Sequence, residues 1–129
     1  MDPTPLLVLL TLNANGLPSA AFVHADTPQQ CELRRAMLGG MLTGSGIQLI
    51  DSRCIESERR FTPYRHDAPG PRRPSVWLID LQVRPPRLEP MADRETCLHA
   101  RPQSASAVCA VSDQREAGWW DRLRAWLIG

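Results

Sequence analysis

The chain has no lysine; its fifteen basic residues are all arginine. Fourteen acidic residues bring the formal charge to +1, so no overall field draws the protein to nucleic acid or an anionic membrane. GC-rich coding, which also favours alanine, proline and glycine, is the simple explanation of the arginine bias. Selection for bidentate anion contacts would need clustering, which one segment alone shows. Aromatics are scarce: four tryptophans, two phenylalanines and one tyrosine. No apolar run approaches the ~20 residues of a membrane-spanning helix. Gly-x-Gly-x-x-Gly, a phosphate loop, Gly-x-Ser-x-Gly and His-Glu-x-x-His are all missing, so the motif-defined enzyme classes find no support. Cys-x-x-Cys is missing too, and no internal repeat stands out. At 129 residues the chain suits one domain, residues 1–129, able to bury roughly two thirds of its unfolded surface.

What the chain does have is oily at its start. Leu6–Leu12 is an unbroken apolar run, Asn13-Ala14-Asn15-Gly16 follows, and Ala20–Val23 is apolar again. Asn-Gly between apolar runs is a strong hairpin signal, because both residues tolerate positive φ. The same stretch also has the length of an export signal, with Val23 and Ala25 suiting cleavage after Ala25. No lysine or arginine precedes Arg34, so a positively charged leader is missing. We therefore expect a retained hairpin in a cytoplasmic protein, with a periplasmic or secreted form lacking residues 1–25 as the alternative.

Further along, Thr27, Pro28 and Gln30 make a capping box with proline at the first helical position. Cys31, Leu38, Met41 and Leu42 then read as the buried stripe of a helix that ends at Thr43-Gly44-Ser45-Gly46. Ile47–Cys54 is expected as a strand parallel to the second one, since a helix crosses between them. An irregular Arg/Pro-rich connection covers residues 56–74. Ser75–Val83 alternates cleanly, with Trp77, Ile79, Leu81 and Val83 on one face. A second irregular connection covers residues 84–95, Cys97–Cys109 reads as a short hairpin, and Asp113 with Glu116 caps a C-terminal helix. The whole predicts an α+β fold with a small mixed sheet.

Four groups of residues are candidates for function. Cys31 with Cys54 and Cys97 with Cys109 are local pairs suited to disulfides; four cysteines allow three connectivities, and four reduced thiols remain the alternative. Arg59, Arg60, Phe61, Tyr64, Arg65 and His66 mix cations with aromatics, which suits phosphate, base or acidic-peptide contacts. Flanking Glu56, Glu58 and Asp67 dilute that charge, and a loop anchored on the core by Phe61 and Tyr64 accounts for the same residues. Trp119, Trp120 and Trp126, with Leu123 and Leu127, form one face of the expected C-terminal helix, to pack on the sheet, dock a partner or lie at a membrane interface. Asp80 interrupts an apolar strand; we expect it on the exposed sheet face, because a buried carboxylate would need a partner such as an arginine or His66. Among the histidines and cysteines Cys97-x-His99 is the only close pair; on one face of a strand it could hold an ion, but a hairpin histidine beside a bridged cysteine is the expected reading.

No cofactor or metal is implied. The leading expectation is a non-catalytic accessory protein that contacts another protein, or itself, through the Arg59–His66 loop and the Trp-rich helix. A small enzyme or ligand-binding domain, with a pocket between the sheet and that helix, is the alternative. A weak nucleic-acid or membrane-surface adaptor is the third reading.

Overall fold

In the computed structural model of the protein, residues 2–63, 74–101 and 105–117 are described. Six strands form one mixed sheet: β1 (Thr4–Leu12), β2 (Pro18–His24), β3 (Gln48–Ser57), β4 (Ser75–Asp80), β5 (Arg87–Met91) and β6 (Val108–Ser112). Their order is β3-β1-β2-β6-β4-β5. Two helices, α1 (Pro28–Gly44) and α2 (Arg94–Ala100), make the fold α+β.

The N-terminal run is unbroken because β1 is covered on both faces. Leu7 and Leu9 pack with Cys31 of α1, whereas Leu6, Val8 and Leu10 join Phe22, Trp77, Ile79 and Leu81 on the opposite face. On β4, Val76 and Leu78 pack with Cys97 of α2, so both helices lie on the same face of the sheet. The other face curls inward. Arg53 of β3 reaches the carbonyl of Leu81. Gln82 Nε2 donates to Asp51 Oδ2 at 2.9 Å, although β1, β2 and β6 separate β3 from β4 in the sheet.

The hairpin forms as expected, but of its turn residues only Gly16 takes positive φ, +75°. Asn13 Oδ1 accepts from the N–H groups of Asn15 and Leu17, which closes the loop without a left-handed asparagine. α1 starts at its predicted cap, with Thr27 accepting from Gln30 N. β2 and β3 run the same way, as the crossover requires, with β1 inserted between them.

Several expectations are corrected. Met41 lies outward rather than in the buried stripe, being about 100° around the helix from Leu42. β4 stops at Asp80, whose Oδ1 accepts from Gln82 N at 3.0 Å and turns the chain. The stretch read as irregular holds β5, masked in the sequence by Pro86 and Pro90. Cys97 lies on α2, not on a hairpin: Asp93 caps that helix by accepting from Thr96 N, and seven residues are too few to show a helical period. Asp113–Ala117 is not helical. It runs alongside the segment after β3, with Thr62 N donating to Arg115 O and Ala117 N to Arg60 O.

The structure also contains a repeat that the sequence hides. Each half is a hairpin, a helix and a third strand that pairs antiparallel with the first strand of the hairpin. In each half a disulfide ties the fourth helical residue to that third strand: Cys31–Cys54 and Cys97–Cys109, with Cα atoms 6.1 and 6.0 Å apart. Cys54 stands opposite Leu7 and Cys109 opposite Leu78, and each of these leucines is fourth in its strand. Thr27 and Asp93 cap the two helices in the same way. Ser57 Oγ accepts from Arg59 N just as Ser112 Oγ accepts from Gln114 N. The two tails then pair across the local two-fold axis, where Phe61 faces Glu116.

Two stability effects follow. Replacing Cys31 and Cys54 together by alanine opens a 23-residue loop and should lower the unfolding free energy by ~2–4 kcal/mol, read from urea midpoints. Gln114 is buried; its Oε1 accepts from Phe22 N (2.8 Å) and its Nε2 donates to Phe22 O and Thr62 O (both 2.7 Å). Gln114→Leu strands those groups and should cost about 3 kcal/mol, a loss that Gln114→Leu must show in the same titration.

Candidate functional site

The described part of the arginine-aromatic segment is built into the fold. Phe61 is buried, stacked on Phe22 with ring centroids 3.9 Å apart, and meets Trp77 edge-on at 5.2 Å. Arg59 pairs with Glu116 at 2.6 Å and lies over the Trp77 ring at 5.4 Å. Arg60 donates to the carbonyls of Ser57, Arg59 and Asp2. Tyr64, Arg65 and His66 lie outside the described residues, as do Trp119, Trp120 and Trp126.

Asp80 is buried, not on the exposed face as expected. It sits opposite Arg87 on β5, and Arg87 forks onto Glu89 at 2.9 and 3.0 Å. An aspartate there ends the strand and adds to the carboxylates around Arg87. All four cysteines are bridged, in the two disulfides described above. Among the described residues no cluster of three or more His, Cys, Asp or Glu could hold a metal ion, and no helix is long and apolar enough to cross a membrane.

One unpredicted surface stands out on α1. Leu33, Met37 and Met41 are 63%, 59% and 65% exposed and follow one another at every fourth residue, so they form a single row. Residues 36–44 of the helix, Ala-Met-Leu-Gly-Gly-Met-Leu-Thr-Gly, carry no charge, whereas the outer face of a surface helix is normally polar. Met37 also lines an apolar groove of about 480 Å³ between α1, the end of β2 and the segment Phe61–Pro63. Arg34, which donates to the His24 carbonyl, stands at its rim. The sequence signal was present as the missing charge in residues 36–44, but both sides of that stretch are apolar, so it did not say which side is outward.

His24 lies in the wall of the same groove. Its Nε2 accepts from the N–H of Phe61 at 2.9 Å. The neutral ring must then carry its proton on Nδ1, which is buried and without a partner. Burial, and secondly the charge of Arg60, hold the His24 pKa below its ordinary 6.5. Protonating Nε2 would break the bond that fixes Phe61. The chain matches no protein-family model, no curated protein and no solved structure.

The pH dependence has a definite sign. The unfolded chain takes up the His24 proton at about its ordinary pKa, before the folded chain does. The stabilisation is complete above pH 6.5 and is lost as the pH falls from there through the lower folded value. In His24→Gln the amide oxygen can still accept from Phe61 N but does not titrate. Urea midpoints of the native protein should fall on acidification through that window relative to His24→Gln; parallel curves would show that His24 is not the titrating group.

Proposed function

We propose that the protein is a non-catalytic interaction module that docks an apolar helical segment of a partner polypeptide on α1. The single observation that carries this reading is the exposed Leu33–Met37–Met41 row, continuous through Met37 with the groove beside it. Spaced apolar positions on a helix receive an amphipathic partner helix through anchors at i, i+3, i+4 and i+7. Methionine suits such a face because its side chain is unbranched and adapts to what it meets. Fully covering each of the three side chains is worth roughly 1.5–3 kcal/mol before the costs of association. Arg34 at the rim offers a charged contact for a carboxylate at the end of the bound segment. Residues 119–127, rich in tryptophan and arginine, are a second proposed contact, on their composition alone.

A second reading, a small apolar ligand in the groove, is favoured by the volume, which falls within the usual range of ligand pockets. Panning a random peptide library on the intact protein tests the first reading. Selected peptides should share an amphipathic helical pattern, and Met37→Glu with Met41→Glu should weaken their binding at least tenfold. Failure to select any such pattern, or equal binding by the double variant, overturns it. Displacement of a bound apolar fluorophore by Met37→Glu but not by Met41→Glu would favour the small ligand.

A further inference from the structure

We propose that a polar cleft between β3 and β5 binds a small cationic molecule through its primary carboxamide. The cleft, of about 640 Å³, separates residues 55–60 from Pro86 and Leu88, with Glu116 and Ala117 of the second tail at its side. It is the two-fold equivalent of the seam between β2 and β6, and that closed seam supplies a template. There the Gln114 amide accepts from Phe22 N–H and donates to the carbonyls of Phe22 and Thr62. The local two-fold axis carries Phe22 onto Leu88: each stands opposite the fifth residue of the neighbouring strand, Val8 of β1 or Ile79 of β4. It carries Thr62 onto Ala117, whose N–H groups make the reciprocal tail bonds to Arg115 O and Arg60 O.

The equivalent groups of the open seam are left without the amide. Phe22 gives its N–H and C=O to the side away from β1, so those of Leu88 point away from β4, into the cleft. Pro90 agrees with this. It stands in the ladder two residues on, in the same alternation, where a missing N–H is tolerated only if it would face outward. Among the described residues nothing bonds the outward groups of Leu88 or the carbonyl of Ala117. The seam cannot close on itself. Pro86 holds the position of Ala20, beside the Ser19–Val111 bridge of the closed seam, and has no N–H to give. Arg59 holds that of Gln114 and has no acceptor.

One donor and two acceptors match a primary carboxamide, whose oxygen accepts and whose NH₂ donates twice. A carboxylate would set its oxygens against both carbonyls, and a hydroxyl donates only once. The charges of the cleft add a second requirement. Three carboxylates, Glu56, Glu58 and Glu116, stand against two guanidinium groups, Arg59 and Arg60. Arg59 pairs with Glu116, and Arg60 donates to backbone carbonyls. Among the described residues Glu56 and Glu58 have no ion pair, so a cationic group on the ligand completes the balance. The volume is that of a small-molecule pocket, and Pro86 and Pro90 blunt β5 against an extended peptide. The cleft shares no residue with the groove beside α1, so the proposal stands apart from the docking function.

Lysinamide titrated into the intact protein, followed by heteronuclear NMR, tests it. Lysinamide should shift the Leu88 N–H resonance and slow its hydrogen exchange. Its N,N-dimethyl amide keeps the charge and the oxygen but has no amide donor, and should bind at least tenfold more weakly. Arg59→Gln gives the chain a carboxamide of its own at the position equivalent to Gln114. It should protect the Leu88 N–H without ligand and abolish lysinamide binding. No shift at Leu88 at any lysinamide concentration, equal binding of the two amides, or undiminished lysinamide binding by Arg59→Gln overturns the proposal. The comparison of the two amides uses the native protein and decides the matter if Arg59→Gln fails to fold.

Discussion

The union of the two halves rests on the side-chain amide of Gln114. Between β2 and β6 the backbone forms one parallel bridge, Ser19 to Val111. Beyond it, Gln114 does for β2 what a neighbouring peptide group would do, accepting from Phe22 N and donating to Phe22 O. Its second N–H goes to Thr62 O, so a buried polar side chain meets its partners at both ends. The aromatic stack depends on this arrangement. Phe22 comes from β2, Phe61 from the first tail and Trp77 from β4, and all three meet only where Gln114 and the tail pairing bring those elements together.

The equivalent residue of the other half, Arg59, cannot do the same. A guanidinium has donors only, so it cannot accept a peptide N–H from Leu88 as Gln114 does from Phe22. It turns to Glu116 and the Trp77 face instead. With Pro86 just before β5 and Pro90 within it, the second seam stays open as a polar cleft of about 640 Å³ between the end of β3 with its tail and the start of β5. One closed seam and one open seam thus follow from the identity of a few residues on a common backbone plan.

Legibility in the sequence tracked the length of each element and the chemistry of its ends. The hairpin, α1 and β3 could be read because Asn13–Gly16, Thr27-Pro28 and Gly44–Gly46 punctuate them. The pairing of the cysteines could be proposed, but not chosen, because a bond depends on which elements end up side by side. β5 was lost to its prolines, which are compatible with a strand only where their missing donors face outward. α2 was lost to its brevity. Phe61 was read both as a contact and as an anchor; the second role follows from its burial against Phe22. The repeat was invisible because its halves share positions, not residues: Leu7 with Leu78 and Cys31 with Cys97 match, whereas Phe22 with Leu88 and Arg59 with Gln114 do not. Nothing in the order of residues announces that the Asp113–Ala117 tail pairs with Arg60–Thr62, since that contact is long-range.

The repeat also gives α1 an internal control. α2 performs the shared structural task, covering the sheet and carrying a buried cysteine of a disulfide, in seven residues. α1 does it with Cys31 at the same position and then continues to Gly44. Its added turns contribute Leu38 and Leu42 to the core, yet they also expose Met37 and Met41. Gly40 has open space where a Cβ would stand, so alanine there would be more helix-stabilising by about 1 kcal/mol. α2 exposes one large apolar side chain, Leu98, among Arg94, Glu95 and His99, closer to the polar surface of a helix facing water. Folding alone explains the inner side of the longer helix. Its uncharged outer side gains free energy only when something other than water covers it, and the docking proposed for α1 rests on that difference between the halves.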